Sequence, residues 1–419
     1  MTERLIYSSK SIMMQDFINK HFFNLYIFIL TLGMITYGLI GFQAVDELSG
    51  VILFIMFIFY MFNTKGWEIN KFFLYVLGIF SFYLCYSFYI ESNTKKAILV
   101  DFIIQLKPYI AFFCAYQLMP CFSKKQISLL NKYSVLCWVL LIPIGIIGFI
   151  QPSTFKPLMG HASNYAAAIS ALSLTYLYTS KDTTQNKLIF ICMLALGLAS
   201  GRAKFYGFFV FAVFITFFFS NVKNIKINFK NSIIALLMLG AIFLVAKEKI
   251  DIYFLQGLNP ESETEKDSIA RFVLYATSFL IFKDYMPFGS GFASYGTHAS
   301  GLYYSPIYKE YGIDGVWGLN KEYPFFISDT YYPSLAQFGV IGVFLFFLFW
   351  LYLCKKAYHY FQKTADSKLT TLVIIISGYF AIENIADATF TSHRGFFFMM
   401  FLGLIFANMK QGISQKEMP

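Results

Sequence analysis

The sequence predicts an all-α polytopic membrane protein with about 12 transmembrane helices and one long external loop that carries an amphipathic helix. Of the 419 residues, 58% are hydrophobic and 13% are charged, whereas a soluble chain carries about 25% charged residues. Apolar runs of roughly 17–25 residues recur from end to end, and each is long enough to cross a bilayer about 30 Å thick as a helix. A more polar segment, 248–331, separates the ninth apolar run from the tenth.

The apolar runs divide the chain into predicted spans. In chain order these are 22–41, 48–63, 72–90, 98–119, 132–150, 162–179, 188–200, 205–220, 231–247, 332–353, 369–387 and 393–409. The pair 188–200 and 205–220 is short for two full crossings, and the alternative is a re-entrant hairpin, which needs protein or water around its turn. The predicted organisation is a single membrane domain with nine spans in 1–247, the external loop in 248–331 and three spans in 332–419.

Lysine and arginine residues predict the orientation of these spans. Cytoplasmic loops of membrane proteins carry an excess of both residues. The termini and the loops on one side of the predicted spans hold 19 of them, whereas the short loops on the other side hold 6. The richer side is therefore predicted to be cytoplasmic, with both termini inside. The net charge of +10 then reflects anchoring lysines rather than a nucleic-acid partner, and the turn at Arg202 and the loop 248–331 face outward.

Unusual polar residues collect at the predicted outer ends of the spans. Charged residues within spans are rare and usually face a cavity or a partner. Glu383 and Asp387 are four positions apart and therefore share a helix face. The residues with this placement are His161, Asn164, Arg202, Lys204, Glu383, Asn384, Asp387, His393 and Arg394. Their common location predicts one polar site.

Each of these residues also has a purely structural interpretation. An arginine at the end of a span often serves as an interfacial anchor. The two carboxylates of the eleventh span could simply form salt bridges with Arg394 or Lys204. His161 and His393 could end helices without any chemical role.

Lys107 is harder to interpret as an interfacial anchor, because it lies deep in the fourth span beside Pro108. Asp101 is six residues away on the same helix and points elsewhere. We therefore expect the ionic partner of Lys107 to come from another helix.

The external loop contains three distinct segments. In "SIARFVLYATSFLIFKDY" (268–285), apolar residues recur at helical spacing, which predicts an amphipathic helix against the membrane surface, with Arg271 near its start. The glycine-rich "MPFGSGFASYGTHASG" that follows includes His298 and is not a P-loop, because no GK[ST] follows it. The last segment is rich in tyrosine and tryptophan, which suit stacking on sugar rings or an interfacial aromatic belt. Asp329 stands at its boundary with the tenth span.

Four ordered motifs resemble the O-antigen polymerase and ligase superfamily of integral membrane glycosyltransferases (Wzy-type polymerases and WaaL-type ligases). The motifs are "GHASNY" at 160–165, "SGRAKF" at 200–205, "RFVLY" and "MPFGSGFASYG" within 271–296, and "SDTYYPSLAQFGVIG" at 328–342. In that family a turn with small residues and Asn opens one span, and an SGR apex follows. A long external loop then carries a second arginine, a P-x-x-G-x-G stretch and a final polar pair. The order and spacing agree over roughly 155–350.

The resemblance implies a GT-C-like glycosyltransferase at the outer face of the bacterial cytoplasmic (inner) membrane. Donor and acceptor would both be undecaprenyl-diphosphate-linked oligosaccharides, and the membrane lipids and a chain-length regulator would be further partners. The implied reaction requires no cofactor and no metal. Glu383 and Asp387 nevertheless leave a magnesium site open as an alternative.

The resemblance also suggests a role for each residue. Arg202 and Arg271 would bind the diphosphate with support from Lys204, because fixed cations stabilise the negative charge that grows on a leaving diphosphate. Asp329 is the first candidate for the catalytic base and His298 the second. The supporting polar residues would be His161, Asn164, Glu383, Asp387 and Arg394.

One departure from the family pattern bears on the function. Many relatives, the ligases especially, have a His-Asn pair where this chain has Ser328 and Asp329. A histidine base would then have to be His298, His161 or His393. This departure favours a polymerase over a ligase.

Two further classes of protein stay open at this point. A transporter or flippase of lipid-linked glycans often has two matching halves and discontinuous spans near the midplane, and the chain has no internal repeat. A non-catalytic partner of polysaccharide enzymes would not need two external arginines at family positions.

Overall fold

The computed structural model describes residues 2–42, 44–63, 69–218, 240 and 263–417, and every regular element among them is a helix. The α-helices are α1 (Thr2–Phe28), α2 (Tyr37–Ile40), α3 (Val45–Asn63), α4 (Lys71–Tyr89), α5 (Lys95–Leu118), α6 (Lys124–Ile150), α7 (Phe155–Met159), α8 (Ala162–Thr179), α9 (Thr184–Ala195), α10 (Ala203–Phe218), α11 (Glu263–Asp284), α12 (His298–Leu302), α13 (Ile307–Glu310), α14 (Gly339–Thr364), α15 (Ser367–Glu383) and α16 (His393–Glu417).

Seven helices in the described part of the chain are long and apolar enough to cross a membrane. They are Met13–Ile35, Val45–Asn63, Lys71–Tyr89, Lys95–Leu118, Lys124–Ile150, Tyr332–Thr364 and His393–Ile413. The chain is therefore a polytopic helical membrane protein, as its sequence predicts. Helices also form within the predicted spans 162–179, 188–200, 205–220 and 369–387. The last of them ends at Glu383, because the chain turns at Asn384, whose side chain accepts the Phe390 N–H at 3.0 Å. Asp387 therefore lies outside the helix, and the prediction that it shares a helix face with Glu383 is wrong. The predicted span 231–247 lies outside the described residues apart from residue 240, so the total of about 12 stays a prediction.

The first predicted span differs from the structure at both ends. The α-helix begins at Thr2, because helix formation continues through a polar stretch that a search for apolar runs cannot detect. Beyond Phe28 the helix widens into a π-helix, Ile29–Ile35, where the Thr31 hydroxyl donates to the Ile27 carbonyl at 2.7 Å. Single-turn π segments occur inside α-helices, often near functional sites.

The "SGRAKF" turn joins two short apolar helices. Helix α9 continues as a 3-10 helix, Leu196–Ser200, and Gly201 then closes the turn with a φ of +65°, a left-handed conformation that glycine adopts without strain. The apolar segment Thr184–Ser200 has a length of about 26 Å, somewhat less than a bilayer core of about 30 Å. Both the short crossing and the re-entrant hairpin are compatible with this length.

Helices α5 and α16 pack against each other at the centre of the bundle. Their backbones approach closely at Gly403, where an added Cβ would lie 2.4 Å from the Phe112 carbonyl oxygen and 2.7 Å from the Ala115 Cβ. Small residues allow such close contacts between membrane helices. The contact fixes the start of α16 beside the middle of α5, where the candidate site lies.

The amphipathic helix predicted in the external loop is present as α11, and it begins five residues earlier than predicted. Its buried face, with Ala270, Leu274 and Ile281, contributes to a second apolar core that the following loops complete. Phe279 and Leu280 lie on the other face and are 73% and 54% exposed. The predicted contact with the membrane surface can therefore involve only this second face.

Hydrogen bonds fasten the glycine-rich segment to α4 and α5. The buried carboxylate of Asp101 accepts the Ala293 N–H at 2.7 Å, and Ser87 Oγ accepts the Phe292 N–H at 2.8 Å. Gly289 has a φ of +81°, which favours glycine at this turn. Asp101 thus holds the loop in place and, as expected, is not the partner of Lys107.

Candidate functional site

Two cations and two carboxylates form an ion-pair network, which we call the Lys204 network; Lys204, Glu383 and Arg394 belong to α10, α15 and α16, and Asp387 lies in the bend after α15. Lys204 Nζ lies 2.6 Å from Glu383 Oε2 and 3.0 Å from Asp387 Oδ2. Arg394 donates to both carboxylate oxygens of Asp387, at 2.6 Å and 3.0 Å. The ion-pair interpretation of Glu383 and Asp387 is therefore confirmed, and neither carboxylate lacks a cationic partner.

Arg202 lies at the turn before α10 and is partly buried. Its guanidinium has no hydrogen-bonding or ionic partner in the described part of the chain. Desolvation and the positive charge of Arg202 lower the pKa of the neighbouring His161 to about 4, and Arg394 and Lys204 act in the same direction. The imidazole is therefore neutral at pH 7, and the positive potential around it suits an anionic ligand.

Arg271 and Asp329 are paired with each other. Arg271 Nε donates to Asp329 Oδ2 at 2.7 Å, and its Nη2 contacts the same oxygen. The guanidinium also lies 5.5 Å from the ring centroid of Phe326, within cation–π range. Burial raises the pKa of Asp329, and the charge of Arg271 opposes this shift. The predicted base and a predicted diphosphate ligand thus neutralise each other in this structure.

A polar cavity of about 560 Å³ lies between α3, α5, α12 and the start of α16. Three predicted site residues, His298, Asp387 and Arg394, contribute to its wall. The other charged or histidine side chains of the wall are Asp46, Glu47, Lys107 and His393. Arg394 Nε is buried without a hydrogen-bond partner among the described residues.

Five predicted residues lie near the cavity rather than in its wall. The Arg271–Asp329 pair is within electrostatic reach of Asp387 and Lys204. Arg202 lowers the pKa of His161, as do Arg394 and Lys204 of the Lys204 network, so all three cations lie within electrostatic reach of His161. Glu383 contacts the network directly, through Lys204. The predicted cations and carboxylates therefore converge on one region, although no single cavity contains all of them.

The histidines and Asn164 occupy different environments. His161 caps α8, because its Nδ1 accepts the Ser163 N–H at 3.1 Å, and Asn164 donates to the Met159 carbonyl at 3.0 Å. His393 stacks on Tyr37 with ring centroids 3.5 Å apart. His298 begins α12 and is exposed at the cavity. His161 and Asn164 thus have local structural roles, which were among the alternatives that the sequence left open.

Lys107 finds its partners on another helix, as expected. Its ammonium contacts Asp46 Oδ2 and lies 2.7 Å from Glu47 Oε1, both in the first turn of α3. The sequence did not point to these two acidic residues, because acidic residues commonly begin a helix. The signal that could have found them is the lone buried lysine itself, which needs an anionic partner within the membrane.

An apolar groove of about 720 Å³ lies beside the polar cavity, between α4 and α14. A smaller cavity of about 70 Å³ lies next to both of them. It shares Gln105 and Tyr331 with the polar cavity. It shares Val76, Ile79, Tyr83 and Leu345 with the groove. Charged residues and an apolar groove are therefore separated by a single small cavity.

The fold and this site define the class of protein as a polytopic helical membrane protein with a charged cavity that lies close to an apolar groove. Comparison of the chain with protein-family models and with curated proteins gives no match.

Proposed function

We propose that this protein is an O-antigen or capsular polysaccharide polymerase that joins undecaprenyl-diphosphate-linked oligosaccharide repeat units. The observation that carries the proposal is the proximity of the polar cavity to the apolar groove, because one small cavity shares wall residues with each of them. A substrate with a charged, hydroxyl-rich head and a long hydrocarbon tail requires two such surfaces next to each other. The resemblance of the motifs at Arg202, Arg271 and Asp329 to the O-antigen polymerase and ligase superfamily indicates that this substrate is a polyprenyl-diphosphate-linked oligosaccharide.

The proposed reaction is a displacement at the anomeric carbon of the donor sugar. Negative charge develops on the departing diphosphate, and preorganised cations stabilise it. Arg202 is the first candidate for this role, because its guanidinium is unpaired in the described part of the chain. Arg394, whose guanidinium is bound to Asp387 in the cavity wall, and Lys204 add positive charge nearby.

Arg271 requires a rearrangement before it can bind phosphate. Two nitrogens of its guanidinium now donate to one oxygen of Asp329, and a phosphate group would accept these N–H groups in place of that carboxylate. Asp329 would then be released toward the substrate. In this proposal the Arg271–Asp329 pair is the resting arrangement of the site.

The proposed location is the outer face of the bacterial cytoplasmic membrane, with both termini in the cytoplasm. The support is the excess of lysine and arginine on the opposite side of the predicted spans. At this face the head group of a lipid-linked substrate lies at the level of the Lys204 network, and its tail extends along the groove into the membrane.

A gene deletion tests the function. Mass spectrometry would identify the glycans on the polyprenyl carrier and on the cell surface, with the complemented strain as the control. Loss of a polymerase leaves single repeats without longer chains, some of them already on the final acceptor. Long chains that accumulate on the carrier would instead identify a ligase. Single repeats that are never exported would identify a flippase.

A further inference from the structure

Glu47 is the most exposed of the three carboxylates in the cavity wall, Asp46, Glu47 and Asp387. Asp387 has both oxygens bound by cations, and the side chain of Asp46 is only 5% exposed. The Glu47 side chain is 48% exposed, and its Oε1 alone contacts Lys107. Asp46 also hydrogen-bonds to the Glu47 carboxyl group, and the exposed part of the Glu47 side chain contributes to the cavity wall.

Lys107 holds this carboxylate in a defined position. The ammonium donates to Glu47 Oε1 at 2.7 Å and is itself 8% exposed, fixed on its other side by Asp46. A charge-assisted hydrogen bond of this kind restricts the orientation of the carboxylate. A general base is recognised by such an arrangement, in which a third group orients the base toward the site.

The wall of the same cavity also contains a cation that can attract the leaving diphosphate of the donor. Arg394, with its unpaired Nε, belongs to the wall that also contains Glu47. A cationic donor for a leaving group and an oriented carboxylate for an incoming hydroxyl therefore lie in one cavity. A volume of about 560 Å³ is sufficient for sugar residues between them.

We propose that Glu47 is the catalytic base for the acceptor hydroxyl, an assignment that rests on the proposed polymerase function. The hydroxyl oxygen of the acceptor sugar forms a bond to the anomeric carbon of the donor sugar. The bond from that carbon to the diphosphate breaks, and the electron pair leaves with the diphosphate. The hydroxyl proton passes to the Glu47 carboxylate. Lys107 and Asp46 are positioning residues.

Two other groups are less suited to this task. Asp329 is bound by Arg271 and does not line the cavity. His298 does line it, but among the described residues no side chain holds its imidazole in one orientation. Glu47 combines access to the cavity with a fixed orientation.

The test measures glycan elongation by the full-length protein in proteoliposomes. The substrate is the lipid-linked repeat unit extracted from cells that lack this gene. The variants are Glu47→Gln, which keeps an acceptor for Lys107, Glu47→Asp, Glu47→Ala and His298→Ala. Glu322→Gln is the matched control, because Glu322 is exposed on the loop and away from the cavity.

A catalytic base predicts a loss of about 100-fold in kcat for Glu47→Gln at an unchanged KM, with a smaller loss for Glu47→Asp. Added formate should restore part of the activity of Glu47→Ala, because a small carboxylate can occupy the vacated space. A structural role would not give this rescue.

Three results would overturn the assignment. They are a kcat within threefold of wild type for Glu47→Gln, a loss in Glu47→Ala that formate does not restore, and a 100-fold loss found only in His298→Ala. If Glu47→Gln does not fold, the formate rescue of Glu47→Ala decides. Failure of the wild-type protein to elongate the substrate would overturn the proposed function itself, which separates the two cases.

Discussion

The role of each charged residue depends on which element supplies its partner. Lys204 and Arg202 are two positions apart in one turn, yet Lys204 is bound by Glu383 and Asp387 whereas Arg202 has no partner among the described residues. The bound cation contributes to the structure, and the free cation can bind a ligand. This difference gives Arg202 and Lys204 different expected phenotypes.

Replacement of Arg202 by Ala should lower the elongation rate about 100-fold to 1,000-fold, the loss expected when one preorganised donor to developing charge is removed. Arg202→Lys should retain part of the rate, because it keeps the charge but not the bidentate fork. Glycan chain length in cells and the rate in proteoliposomes would both be measured. Lys156→Ala, at another exposed lysine of the predicted outer face, is the control. Normal chain length with normal amounts of Arg202→Ala protein would contradict the diphosphate assignment.

Replacement of Lys107 by Met should lower the stability of the protein by about 3–5 kcal/mol, because it leaves the buried carboxylate of Asp46 without a partner. Thermal unfolding of the purified protein in detergent measures the effect. Lys187→Met is the control, since Lys187 pairs with an Asp182 that is 37% exposed, and such a pair contributes about 0–1 kcal/mol. The double variant Lys107→Met with Asp46→Asn should recover much of the loss. Equal effects of the two single variants would show that the Lys107 pair is not buried.

At the scale of helices, close backbone contacts decide the position of the site. Helix α16 carries His393 and Arg394 at its start, and its contact with α5 at Gly403 places them opposite Lys107 in the cavity wall. The periodicity of α16 alone does not indicate this contact, because nearly all of its side chains in the membrane are apolar. The glycine is the one local sign of a close approach.

Replacement of Gly403 by Ala should destabilise the protein by about 1–3 kcal/mol, because the added Cβ meets the Phe112 carbonyl at 2.4 Å. Gly207→Ala is the matched control in α10, where nothing lies within 4 Å of the added Cβ. The control should be neutral or slightly stabilising, since alanine favours helix more than glycine does. Thermal unfolding of both variants decides the question. Equal stabilities would mean that α5 and α16 do not approach as described.

At the scale of the whole molecule, the polar cavity and the apolar groove lie close together, with one small cavity between them. The groove is bounded by α4 and α14, which are far apart in the sequence. Gly78 faces this groove with nothing within 4 Å of an added Cβ. A larger side chain at this position therefore fills the groove without disturbing the protein.

Gly78→Phe should raise the KM for the lipid-linked substrate about tenfold, which corresponds to about 1.4 kcal/mol of lost binding, with little change in kcat. Gly78→Ala, which leaves the groove open, should behave as wild type. Elongation kinetics in proteoliposomes provide both constants. An unchanged KM for Gly78→Phe would show that the hydrocarbon tail of the substrate does not bind in the groove.

The predicted orientation is tested with single cysteines in a background without the native ones. Glu322→Cys, in the loop after α13, should react with a membrane-impermeant maleimide in intact spheroplasts. Ser367→Cys, at the start of α15, should react only after the membrane is opened. The reverse pattern would place the charged cavity on the cytoplasmic side and would exclude a reaction at the outer face.

The membrane class, most of the helices and much of the set of polar residues that converge near one site can be predicted from the sequence. These properties depend on hydropathy, on local helix formation and on charges whose burial needs a partner, and all three are visible in single segments. The amphipathic helix α11 and the intramembrane partner of Lys107 were predicted for the same reason.

Only the tertiary structure decided which polar residues pair and which remain available. The pairing of Arg271 with Asp329, the binding of Asp387 by Arg394, and the exposure of Glu47 depend on contacts between distant segments. The groove beside the cavity also depends on how α4 and α14 pack. Such contacts follow from the geometry of the whole bundle, which no single segment of the chain specifies.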